Sequence, residues 1–269
     1  ANGAQTFTLG AASQDVTTGS GAVVIDTGAV VDITDAALDG RNSTTLTINV
    51  AADTDISDAI ITGNLGTQDA NYTIDVAANA DAITMMIAQH ALLGTVTDGG
   101  DATITLSDAG TVTGNANIGA YALATAGGTT FTLGSDTQSV TTGTGGADTV
   151  DVGTRTATGT FTTIATDTIK LDTGADVQGV DSGAGAGGAF TANNLSLVSG
   201  ASVTMTAAQN NSFSGTITAA GSETITLSDA NAATGLTNIE AYTLANGAQT
   251  FTLGAASQDV TTGSGAVVI

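Results

Sequence analysis

The sequence predicts an all-β protein, a parallel β-solenoid built from short strands, and three observations carry that reading. First, apolar residues alternate with polar ones in brief runs rich in Val, Ile and Thr, spaced about eight to twelve residues apart, which is the period-two signature of strands. Second, the chain repeats itself: residues 1–25, ANGAQTFTLGAASQDVTTGSGAVVI, recur unchanged at 245–269. Fixed-period self-similarity marks arrays and solenoids. Third, the candidate interior residues are small. Aromatics make up 3% of the chain and Trp, Pro and Cys are absent, as suits a narrow coil with repeated Gly, Asn and Asp turns.

The strands are read in order as TFTL (6–9), TLTINV (45–50), YTIDV (72–76), TITLSD (103–108), DTVDV (148–152), DTIKLD (167–172), LSLV (195–198), SVTM (202–205) and TITL (224–227). Only DAITMMIAQHALLG (81–94) has a helical look. Its repeat partner VTMTAAQNNSFSG (203–215) does not, so both are read as strand followed by loop. Coils of about 18 residues, or roomier ones of about 24, fit the spacing. The alternative is a pair of tandem β-sandwich domains with antiparallel hairpins, each about 120 residues long.

The repeats set the organisation. Phe7-Thr8-Leu9-Gly10 returns at Phe131-Thr132-Leu133-Gly134 and at Phe251-Thr252-Leu253-Gly254, and GDATITLSDAG (100–110) matches GSETITLSDAN (221–231). Residues 1–125 form a first unit, 126–244 a second homologous unit, and 245–269 the start of a further copy. Residues 27–82 and 152–202 align poorly. The chain reads as one 244-residue period plus the opening of the next, within a longer repetitive protein. A subunit whose duplicated ends overlap its neighbours is the rival explanation.

Charge narrows the partners. There are 25 acidic and 3 basic residues, and all the acids but Glu223 and Glu240 are Asp, giving a net charge of −22. With Arg41, Arg155 and Lys170 as the only strong cations, there is no basic surface for nucleic acid. No run of about 18 apolar residues is present to span a membrane as a helix. Without Cys there is no disulfide or thiolate site.

The preference for Asp suggests turn positions, where the short carboxylate caps the backbone or ligates a hard cation. Gly143-Thr144-Gly145-Gly146-Ala147-Asp148-Thr149-Val150-Asp151 resembles the G-G-x-G-x-D-x-U-x nonapeptide of RTX proteins, which bind Ca²⁺, although Thr144 replaces a glycine and no second nonapeptide follows. The candidate Ca²⁺ ligands are Asp26, Asp98, Asp101, Asp148, Asp151, Asp172, Asp176 and Asp181. The alternative for each is a solvated turn acid, and no Asp group has EF-hand spacing. His90, the single histidine, reads as a surface or loop residue, because its repeat partner is a polar residue within Asn210-Asn211-Ser212. No catalytic residue is assigned, and the lack of Trp and of cations argues against a glycosidase-like site.

As a whole, ITLSDA (104–109 and 225–230), IEAYTLANGAQTFTLG (239–254), VTMTAAQ (203–209) and TTGTGGADTV (141–150) resemble the strand repeats of giant bacterial RTX-like adhesins and surface-layer proteins. That resemblance implies an extracellular location and calcium-assisted folding. Two functions follow as expectations. One is a structural repeat segment of a fibre, surface layer or adhesin stalk, partnered end to end by further copies of its own repeat. The other is a module that binds carbohydrate or a cell surface.

Overall fold

The computed structural model describes residues 4–17, 21–27, 37–39, 43–50, 54–58, 60–62, 72–76, 82–91, 93, 95–97, 102–183 and 185–269. They fall into two compact units, residues 1–109 with 117–124 and residues 110–116 with 125–269. Each unit is a β-solenoid. Every pairing between strands within a unit is parallel. Parallel pairing of strands this close in sequence requires the chain to circle once between them, so the hairpins of the sandwich alternative are ruled out. Among the described residues the one antiparallel contact is an isolated bridge between Asp181 and Ala186.

In the first unit the register sets Phe7 opposite Ile25, then Ile48, Ile74 and Val96 on five successive strands. A second row sets Ile83 opposite Ile104 and Ile104 opposite Tyr121. In the second unit Val112, Phe131, Val150, Ile169, Leu195 and Ile217 follow one another on six strands. Phe131, Val150, Ile169 and Leu195 are fully buried. Across that unit a row of Val203, Ile225, Tyr242 and Val260 faces inward. Coil length is read from the register. Thr130 pairs with Thr149 about 19 residues on, Ser202 with Thr224 about 22 on, and Thr168 with Asn194 about 26 on. Each inward side chain therefore meets its counterpart one strand spacing away, roughly 4.8 Å. That repetition turns small residues into a continuous core.

The three copies of the FTLG passage adopt one conformation. Gln5–Thr8, Thr130–Thr132 and Gln249–Thr252 are strands. Thr6 pairs with Val24 and Thr250 with Val268, both about 18 residues on, whereas Thr130 pairs with Thr149 about 19 on. The extra residue of the middle copy is taken up in its glycine turn.

The strand-then-loop reading of 81–94 and 203–215 is corrected by two short helices, α1 (Ile87–His90) and α2 (Ala207–Ser212). Each follows a strand, Ala82–Met85 and Ser202–Met205. Thr206 is the N-cap of α2: its hydroxyl accepts from Gln209 N, and Gln209 Oε1 accepts from Thr206 N at 2.9 Å. This is the reciprocal Thr-x-x-Gln cap, legible in TAAQ.

Candidate functional site

The chemistry that the fold concentrates lies at the corners between coils, where polar side chains join one turn to the next. In the second unit, Gln138 is fully buried. Its Oε1 accepts from Gly134 N at 2.7 Å, and its Nε2 donates to the carbonyl of Asn115 at 2.8 Å, one coil away. Gln258 repeats this at Gly254 N (2.7 Å), Leu236 O (2.7 Å) and Ile239 O (2.8 Å). In the first unit Gln14 accepts from Gly10 N at 2.8 Å. A second pair works alike at the helices: Gln89 Nε2 reaches Ile56 O and Gln209 Nε2 reaches Val177 O, both at 2.6 Å. An amide suits this task because it carries donors and acceptors together and no charge. Reasoning from sequence passed over these glutamines, although Gly-x-x-x-Gln stands in all three copies.

Asp148 faces the interior and is fully buried. Its two carboxylate oxygens accept from Thr129 N at 2.7 Å and Gly143 N at 2.8 Å. Asp167, which sequence reasoning did not single out, repeats the device one coil on: it takes Asp148 N at 2.9 Å, Ile164 N at 2.7 Å and the Thr142 hydroxyl at 2.5 Å. The signal was the recurrence of Asp148-Thr149-Val150 as Asp167-Thr168-Ile169. A carboxylate ringed by N–H donors sits in positive potential, which satisfies its charge from the protein itself.

The other named acids are dispersed. Asp151 accepts from Gly153 N at 3.0 Å and pairs with Lys170 Nζ at 2.6 Å, and that hydrogen bond raises the lysine's pKa above its ordinary value. Asp172 adds to the negative field at Lys170. Asp176 accepts from both the backbone and the side-chain nitrogen of Gln178, at 3.0 and 2.8 Å. Asp181 accepts from Gly183 N and Gly185 N, at 2.8 and 3.1 Å. Asp26 ends the strand Gly21–Asp26, opposite Asn49. Asp98 and Asp101 lie outside the described residues. Among the described residues no three His, Cys, Asp or Glu side chains gather as a metal site would require, and no helix is long and apolar enough to cross a membrane.

His90 corrects the surface reading, because it is only 7% exposed. Its Nε2 lies 2.9 Å from the hydroxyl of Tyr121, with the rings edge to face. The reason is α1, which turns the residue inward at the position that Asn210 holds in α2. There, the Tyr242 hydroxyl donates to Asn210 Oδ1 at 3.1 Å.

A surface groove in the second unit, of about 340 Å³, is lined in part by Asn211, Phe213, Ser214, Thr234, Leu236 and Thr237. Its apolar floor is closed, with Phe213 at 3% and Leu236 at 8% exposure. Phe131, Phe161, Phe190, Phe251, Tyr121 and Tyr242 are likewise buried.

Compared with known protein families, curated proteins and solved structures, the chain matches none.

Proposed function

We propose that the chain is a structural repeat segment, extending an extracellular bacterial fibre, surface layer or adhesin stalk through further copies of its own repeat. One observation carries this reading. The joint between coils recurs in equivalent form at Gln138 with Asn115 and at Gln258 with Leu236. A joint made only with the neighbouring coil can be repeated without limit, and stability then grows by addition of units. Seven aromatic side chains, Phe131, Phe161, Phe190, Phe213, Phe251, Tyr121 and Tyr242, are buried and Phe7 alone among the described aromatic side chains is exposed, at 39%, which supports the same reading over carbohydrate binding, a function that draws on rows of exposed rings. The RTX-like phrases and the acidic composition support the extracellular setting. Whether calcium adds to the chain's stability is a separate question, decided by chelation.

The experiment is to express one, two and three tandem 244-residue periods and measure their length by electron microscopy and solution scattering. Length should rise linearly, by roughly 50 to 65 Å per period at about 4.8 Å per coil. Failure of length to grow, or tight binding of one period to a glycan array, would replace the structural reading with the binding one.

A further inference from the structure

The two units present one latch in two chemistries. In the second, Tyr242 is closed on Asn210, a side chain that does not titrate. Asn210 also donates from Nδ2 to Thr234 O at 2.8 Å. In the first, Tyr121 is closed on His90. Both tyrosines are 1% exposed, and both partners are buried. The helices that carry the partners start on the same support: Asp108 Oδ1 accepts from Ile87 N and Asp229 Oδ1 from Ala207 N, each at 2.7 Å. The acids one coil earlier also correspond, with Asp55 taking Ser57 N and Asp176 taking Gln178 N. The substitution of imidazole for amide is thus set within a shared framework.

We infer that the His90–Tyr121 pair is a mild-acid latch, in which protonation of His90 opens the α1 coil while the α2 coil stays closed. In its Nδ1–H tautomer, the one this latch requires, a neutral imidazole accepts the tyrosine proton through Nε2, as the Asn210 oxygen does. An imidazolium must donate there instead, which reverses the bond and leaves a cation in a site 7% exposed. Among the described residues the charged groups on the elements around α1 are Asp55 and Asp58 of the preceding coil and Asp108 of the following turn. Asp55 and Asp108 are held by backbone N–H groups, and among the described residues none forms an ion pair with His90. Burial accordingly lowers the His90 pKa below 6.5. The sign follows: the opened state takes the proton first, so stability is complete above the ordinary imidazole value and is lost as pH falls below it.

The test is hydrogen exchange on the whole chain between about pH 7.5 and 5.5, corrected for intrinsic rates. Protection of 82–91 should be progressively lost as pH falls below 6.5. Protection of 202–213 should hold. His90→Asn should flatten the first segment, and Asn210→His should transfer the loss to the second. Parallel behaviour of the two segments, no loss at 82–91, or an unchanged slope in His90→Asn would overturn the inference. Should His90→Asn not fold, the single imidazole of the wild-type chain is titrated by NMR. A midpoint below 6.5 supports the latch, and one at or above it overturns it.

Discussion

Gln138 Oε1 lies 2.7 Å from the backbone nitrogen of Gly134, and the same amide reaches across to the carbonyl of Asn115. One side chain closes its own corner and ties it to the coil before. Replacement by Ala leaves a part-buried N–H and a part-buried carbonyl unpaired, and each such group costs about 1–3 kcal/mol when fully buried and less when not. Gln138→Ala should therefore lose roughly 2–4 kcal/mol in urea denaturation. Gln14→Ala, at an exposed corner with one such bond, should lose less than about 1 kcal/mol. Equal losses would show that the joint is not what the amide contributes.

The glycine beside it makes an independent prediction. A Cβ at Gly134 would collide with the Gly114 carbonyl of the neighbouring coil, and one at Gly254 with the Gly235 carbonyl. At Gly10, in the same FTLG motif, the nearest atom to such a carbon is Gln14 Oε1 at 3.8 Å. Gly134→Ala should cost about 1–3 kcal/mol or prevent folding, whereas Gly10→Ala should be close to neutral. Thermal melts of the two variants decide the matter.

Glu223 should contribute to the acid limit of the second unit. Burial pushes its carboxyl up, but the hydrogen bonds donated to it by Ala220 N and Gly200 N outweigh that and hold it below the usual range. A depressed carboxylate pKa contributes stability above the unfolded value and loses it as pH falls through the folded value. The loss should begin below about pH 4.5, the ordinary glutamate value. Glu223→Gln should flatten the acid limb of the stability curve and lower the neutral plateau, as followed by circular dichroism from pH 7 to 2.

Chelation decides the calcium question. Asp148, Asp176 and Asp181 already take backbone N–H groups on their carboxylates. The melting temperature in chelator should then match an ionic-strength control. A ligand bound at a hundredfold excess over Kd would stabilise by roughly 2.7 kcal/mol, so a drop of that order would assign calcium to these acids.

The solenoid was legible because it rests on patterns local in sequence. Alternation chose strands, small residues chose a narrow interior, and the recurrence of FTLG showed that equivalent positions must take equivalent conformations. The candidate acids were legible only as turn residues. Whether Asp148 faces solvent or the interior depends on the winding of the coil before it, which brings Thr129 N and Gly143 N to its two oxygens. Alternation within TVDV carries no such information.

By itself, then, the sequence determined the strand runs, the corner glycines, the strand conformation shared by three copies and the acidic composition, because each follows from the chemistry of a few adjacent residues. The tertiary structure alone decided which polar groups meet across coils. Gln138 finds Asn115 and His90 finds Tyr121 over separations of 23 and 31 residues. Coil length varies from about 17 to 29 residues, between the pairs Thr103–Ala120 and Thr54–Ile83. A period that irregular fixes no cross-coil partner in advance, and only the winding of the backbone brings those atoms within hydrogen-bonding distance.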